Sequence, residues 1–422
     1  MDLNYRYLFV FLLITFASCI SNPPEIKWSF TDQEVTGNRP KKENGIKLDV
    51  YVDATTSMQG FAKNSSSPYG QFLDQLETSA LSAWKNADVK YYKFGESIRP
   101  IDRAEYLGAK SDPGFYHEKG IFMKTYIDSV VKRTDTARLS VLITDLFQDE
   151  GDVNTMVEEF KEKCFANGVE VGIAGIKSDY KGKVFDVPGF PKGYDLESAE
   201  RPFYCIVFGN IYNMELLFQA LEAKPFVKED HVLIFSPHVI QSYNVTMNKG
   251  KVPGLGPASG TVAKNLYNFK MSSDLKEAKF DLAIELQRNI HCPDFSVGNV
   301  EFIAFKKSGV DPKNYSKDSV ATEELTLDNL QRMGNKLTGV LRLKNEEGEG
   351  NYSYMAYLKT NALRGLKLPV WISEFSTDKP VPGTSSSSKT YNLEKLCTAL
   401  LVANASVTPT YLSKFYINIF KR

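Results

Sequence analysis

Residues 46–60 read IKLDVYVDATTSMQG. The first eight are rich in Ile, Leu, Val and Tyr, the composition of a strand. The strand ends on Asp53, and the chain then runs straight into Thr55, Thr56 and Ser57. Small hydroxylated residues after a carboxylate are poor core material. Standing at alternate positions, Asp53, Thr55 and Ser57 suit the ligation of a hard cation or the setting of a nucleophile. A strand that stops on such a group implies a sheet whose carboxyl edge carries the function.

Working outward, strands and helices alternate. Residues 69–84, YGQFLDQLETSALSAW, place Phe72, Leu73, Leu76, Ala80, Leu81 and Trp84 at helical spacing. ADVKYYKFG (87–95) reads as a strand, TYIDSVVKR (125–133) as a helix and RLSVLITD (138–145) as a strand. Residues 151–168 read as a helix closing on Gly168, followed by the strands 169–178 and 201–210 and a helix over 213–223. This alternation predicts an α/β fold with a doubly wound, mostly parallel sheet. Beyond residue 228 the pattern changes to short strands divided by Gly, Asn, Pro and Asp, several alternating cleanly, as in Phe280, Leu282, Ile284 and Leu286. Residues 229–422 therefore read as a β-rich C-terminal domain, a sandwich among the arrangements it permits. One helix packs on it through Leu393, Leu396, Cys397, Leu400 and Leu401, with Thr390 as its N-cap.

The 422 residues carry 51 basic and 51 acidic side chains, which gives no reason to expect nucleic acid as a partner. Arg6 precedes the apolar run YLFVFLLITFA, which is too short to span a bilayer and ends in FASC, residues 16–19. Residues 1–18 read as a signal peptide. FASC resembles a bacterial lipobox, and that resemblance implies lipidation of Cys19. Residues 19–44, polar and punctuated by Pro and Gly, read as a tether. Ile20 and Ser21 offer no aspartate-type retention signal, so the expected location is the cell envelope of a Gram-negative bacterium, at the outer membrane. The other cysteines, Cys164, Cys205, Cys292 and Cys397, show no zinc-type spacing and read as buried thiols.

In the expected sheet, Asp53 and Asp145 both lie at carboxyl ends of strands, and Thr125 opens the helical stretch between them. Asp53, Thr55, Ser57, Thr125 and Asp145 offer oxygen and neither nitrogen nor sulfur, a donor set suited to Mg²⁺. The stretch DATTSMQG (53–60) resembles the Asp-x-Ser-x-Ser-Met-x-Gly signature of von Willebrand factor type A domains, with Thr55 in place of the first serine. The resemblance covers roughly residues 44–225 and implies a von Willebrand factor A-like domain over 45–228. It also implies a metal-ion-dependent adhesion site at the same five residues, taking Mg²⁺, or Mn²⁺ or Ca²⁺ in its place. Asp53 and Asp145 would hold the ion mostly through water, and the three hydroxyls directly. Two departures stand out: Leu146 replaces the glycine that commonly follows the last aspartate, and Thr125 lacks the usual preceding glycines, leaving Thr144 as a rival should its side chain turn outward.

The implied function is recognition rather than catalysis. A lipid-anchored envelope protein would bind, through its ion, an Asp or Glu of a protein partner in adhesion or assembly. The alternatives are a metal-dependent phosphoester hydrolase and a structural lipoprotein with a vestigial site. Nucleophilic chemistry is poorly supported, since no Gly-x-Ser-x-Gly elbow surrounds Ser57 and the four histidines are scattered. The anchor can be tested directly. Cys19→Ala is expected to move the protein from the membrane fraction to the soluble periplasm; a variant that still sediments with membranes after a high-salt wash would refute lipidation.

Overall fold

The computed structural model describes residues 35–36, 45–95, 97–118, 138–146, 150–185, 192–258, 265–309, 319–360 and 366–422. Cys19 and Thr125 lie outside the described residues, as does the helix expected over 125–133. Among the described residues no helix is long and apolar enough to cross a membrane.

Seven strands build the largest sheet: β1 (Gly45–Asp53), β2 (Asn86–Phe94), β3 (Ile98–Ile101), β4 (Arg138–Thr144), β5 (Glu170–Val184), β6 (Tyr194–Gly209) and β7 (Val232–Phe235). Their spatial order is β3-β2-β1-β4-β6-β5-β7. β1 pairs in parallel with β2 and β4, whereas the pairings β2–β3, β4–β6, β5–β6 and β5–β7 are antiparallel. This corrects the doubly wound, mostly parallel α/β expectation and its von Willebrand factor A-like form. Among the described residues the protein is mostly β, at 47% strand against 28% helix, with several sheets and a mixed one at their head. The misreading has a physical source. The strands read at 169–178 and 201–210 are buried on both faces at their apolar ends, as interior parallel strands are. Burial pattern carries no strand direction, however. A parallel connection needs a crossover of a dozen or more residues, usually helical, and residues 179–184 and 194–200 instead extend both strands as one long antiparallel pair.

The helices are α1 (Pro68–Ala83), α2 (Arg103–Gly108), α3 (Glu150–Glu159), α4 (Ile211–Glu222), α5 (Val370–Phe375) and α6 (Leu393–Val407). α1 starts where Ser67 accepts a hydrogen bond from Gly70 N–H at 3.3 Å, with Pro68 in the first helical position. On one face of the sheet, Leu48, Val50 and Val52 of β1 share a core with Phe72 and Leu76 of α1 and Leu217 and Leu221 of α4. On the opposite face, Tyr51, Leu142, Tyr204 and Phe208 share a core with Met156 of α3 and Leu396 and Leu400 of α6. The C-terminal helix thus covers the first sheet rather than the β-rich half. Thr390 is not its cap: the residue before the helix is Asn392, at φ +58°, and the Thr390 hydroxyl instead accepts from Tyr204 Oη at 2.7 Å. Within the stretch read as short strands, residues 366–375 form a two-residue bridge at Leu366–Lys367 and then α5.

Beyond β7 the remaining strands form mainly a six-stranded and a four-stranded sheet. They meet across a shared core, with the rings of Phe269 and Phe280 4.8 Å apart, and that core is continuous with the helical face of the first sheet. A buried ion cluster ties the two regions. His291 accepts Ile234 N–H of β7 at its carbonyl, 2.8 Å away. Its ring nitrogens meet Glu215 at 2.6 Å and Glu222 at 2.5 Å, two carboxylates seven residues apart on α4. Burial by itself would lower the imidazole pKa, but the two carboxylates outweigh it and raise the group to about 9. The four cysteines Cys164, Cys205, Cys292 and Cys397 are buried thiols.

Because β7 and α6 both come from beyond residue 228, a fragment of residues 45–228 would keep α3 on the Tyr51, Tyr204 and Phe208 face but lose the rest of its cover. It is expected to bind a hydrophobic dye and aggregate on size-exclusion chromatography, while residues 45–422 elute as a discrete species. A monodisperse 45–228 fragment with sharp thermal unfolding would count against this packing.

Candidate cation site

β1 and β4 lie side by side in parallel, with Val52 level with Ile143. Asp53, the last residue of β1, and Asp145, the first beyond β4, therefore reach the same edge of the sheet. The chain leaves β1 through a tight turn. Ala54 N–H still bonds Phe94 O of β2 at 2.8 Å, and Asp53 Oδ1 then accepts both Thr55 N–H, at 2.9 Å, and the Thr55 hydroxyl, at 2.7 Å. Asp and Asn favour such turns because a short polar side chain can bond the backbone two residues on. A 3₁₀ segment, Thr56–Lys63, follows and brings Ser57 round to face β4.

The side chains close a continuous network. Ser57 Oγ lies 3.1 Å from Thr55 Oγ1 and donates to Asp145 Oδ1 at 3.2 Å, across 88 residues of sequence. Thr144 Oγ1 donates to the second oxygen of Asp53 at 2.7 Å. Four of the five residues expected from the sequence, Asp53, Thr55, Ser57 and Asp145, are thus brought together, and Thr125 lies outside the described residues. Thr144, a rival to Thr125 if its side chain turned outward, does reach the cluster, its hydroxyl donating to Asp53. The parallel register of β1 and β4 is the signal that finds it, and that register is visible only in the fold.

Asp53 and Asp145 are 6% and 3% exposed. Each hydrogen bond made to Asp53 comes from a neutral donor, namely Thr55 N–H, Thr55 Oγ1 and Thr144 Oγ1. Burial first, and the Asp145 charge second, push the Asp53 carboxyl up from its ordinary 3.8 to about 6, against the lowering effect of those three bonds. Two buried, mutually repelling carboxylates flanked by hydroxyl lone pairs fit a hard divalent cation, which favours oxygen ligands and keeps bound waters. Among the described residues no group of three or more His, Cys, Asp or Glu side chains converges in a geometry that would hold a metal. A cation here depends on the hydroxyls as much as on the carboxylates.

The surroundings explain two further features of the sequence. A Cβ on Gly60 would come within 2.3 Å of the Tyr180 ring, so only glycine lets the 3₁₀ segment lie this close to β5. Leu146 takes φ +51°, the left-handed conformation a glycine would supply at lower cost. The strain, roughly 1–2 kcal/mol, is offset by full burial of the leucine side chain and by the bond from its N–H to Thr144 Oγ1 at 3.2 Å.

No family model matches this chain, and no curated protein matches it. The likeness of residues 53–60 to the adhesion-site signature rests on the residues themselves. Sequence reasoning also passed over His291, whose two glutamate partners lie about 70 residues away with no local motif to mark them.

The raised Asp53 pKa carries a pH signature in metal-free protein. A carboxyl whose folded pKa lies above its unfolded value favours the fold below the unfolded value, and that contribution is lost as pH rises through the folded value. With EDTA present, wild type is expected to lose melting temperature between about pH 4 and pH 6 relative to Asp53→Asn. Parallel melting curves for the two proteins across that interval would contradict the buried, uncompensated carboxylate pair.

Proposed function

We propose that this chain holds a divalent cation, Mg²⁺ by preference, at Asp53, Thr55, Ser57 and Asp145, and uses it to bind an acidic group on a protein partner. The observation that carries the reading is the meeting of the two segments: Ser57 Oγ reaches Asp145 Oδ1 at 3.2 Å, at the carboxyl edge of two parallel strands. The likeness of DATTSMQG to the von Willebrand factor A signature supports the same reading, with Thr125 as the further hydroxyl ligand that the likeness implies.

When bound, the ion supplies an electrophilic point of attachment, because two carboxylates among neutral hydroxyls leave much of its charge unquenched. The chain's own residues divide the remaining work. Asp53 and Asp145 attract the cation and set where it rests. Thr55 and Ser57 offer neutral oxygen without adding charge that would repel an approaching carboxylate. Thr144 orients Asp53, and the main-chain N–H of Thr55 holds its other oxygen. Nothing in this set is a strong base, and the work it suits is recognition. In this reading the lipidated Cys19 anchors the protein to the outer membrane of a Gram-negative envelope, with residues 19–44 as tether.

Mg²⁺ is expected to raise the melting temperature through mass action, by RT ln(1 + [L]/Kd), about 1.4 kcal/mol at ten times Kd. Asp53→Ala and Asp145→Ala should each abolish the rise, and Thr55→Ala should reduce it. An acidic partner captured on immobilised protein in Mg²⁺ should be released by EDTA. Absence of any Mg²⁺ or Mn²⁺ effect on wild-type melting would end the proposal.

A further inference from the structure

The hairpin of β5 and β6 outruns its neighbours. β4 accompanies β6 only as far as the pairing of Thr144 with Tyr204, and β7 accompanies β5 only over Val171–Ala174. Residues 175–184 and 194–203 therefore continue as a two-stranded arm past the edge that carries Asp53 and Asp145. The 3₁₀ segment holding Ser57 rests on this arm. A Cβ on Gly182 would lie 3.0 Å from the Gly60 Cα, and the Phe61 ring meets the Tyr180 ring edge-on at 4.9 Å. Tyr180 is buried, with its hydroxyl 3.1 Å from Ser57 O and 2.7 Å from Lys183 O, one donor shared between loop and arm. On its other side the Arg201 guanidinium lies 4.8 Å from the ring centre.

A 3₁₀ segment has poorer hydrogen-bond geometry than an α-helix and is rarely sustained for long. This one begins at Thr55 without a side-chain cap, and its backbone departs from helical geometry at Ala62. It does not hold its own shape well enough to aim a ligand, and the arm supplies the missing constraint. We infer that Tyr180 is a positioning residue for the cation site, fixing the Ser57 main chain so that Ser57 Oγ points at Asp145. The inference deepens the cation reading above and rests on it.

The test is a Mn²⁺ titration of the full chain, following the free-ion signal by electron paramagnetic resonance well below the melting temperature. Tyr180→Phe removes the shared hydroxyl, and Gly182→Ala presses a methyl against Gly60; neither residue is itself a ligand. Each is expected to weaken Mn²⁺ binding by about tenfold, the usual effect of losing an outer-sphere support, and to change the spectrum of the bound ion. Tyr106→Phe is the control. It loses a comparable buried bond, Tyr106 Oη to Leu73 O at 2.8 Å, and should lower melting temperature without changing Mn²⁺ affinity. Wild-type affinity in both Tyr180→Phe and Gly182→Ala overturns the inference and leaves the cation site standing, and equal weakening in Tyr106→Phe also overturns it. Failure of wild type to take up Mn²⁺ overturns the site reading, and this inference with it.

Discussion

The parallel pairing of β1 with β4 is the constraint on which the site depends. Two strands that run the same way and in level register end at the same height, so the residues that terminate them become neighbours whatever their separation in sequence. Asp53 and Asp145 are brought together in this way, with Val52 beside Ile143 just below them. Both carboxylates are drawn out of water by the apolar strands beneath, and burial together with the Asp145 charge raises the affinity of Asp53 for a proton. The hydroxyls of Thr55, Ser57 and Thr144 are the neutral oxygens that make this burial tolerable.

The rest of the sheet is arranged around that pair. On one side β2 steadies the turn through Phe94 O. On the other, the β5–β6 hairpin replaces the parallel strands that a doubly wound sheet would place there, and projects beyond the edge as a wall. The antiparallel connection is what permits this: a hairpin can extend past its neighbours while pairing only with itself. Its contact with the 3₁₀ segment is close because Gly60 and Gly182 face each other, and a side chain at either position would separate them.

The C-terminal half contributes to the first sheet as well as forming its own. β7 and the α6 helix complete one edge and one face of the seven-stranded sheet, and the other core runs without a break into the later strands. Buried charges secure the junction at specific points. His291 bridges Glu215 and Glu222 on α4, and Glu170 accepts from Ile211 N–H at the start of that helix and from the Ser236 hydroxyl. Leaving His291 without its partners would strand a buried charge, a much larger penalty than the net gain from forming the pair. These contacts set the relative placement of elements that apolar packing would leave free to slide.

The sequence by itself determined the local features. The apolar run up to Asp53 specifies a strand, the spacing of Phe72, Leu73 and Leu76 specifies α1, and the stripe through Leu396 and Leu400 specifies a helix with a buried side. The spacing of Asp53, Thr55 and Ser57, and Asp145 at the end of an apolar strand, marked the residues that the fold gathers into one cluster. All of these are short-range signals, set by side-chain periodicity, capping and turn chemistry within a few residues. Strand direction, the partner of each strand and the destination of α6 were decided only by the tertiary structure. A strand buried on both faces has the same pattern in a parallel or an antiparallel setting, and an amphipathic helix records that it has a buried face but not what covers it. Thr144 reaches Asp53, and Tyr180 reaches Ser57, because register and a hairpin's overhang place them there, and register is a property of two chain segments together.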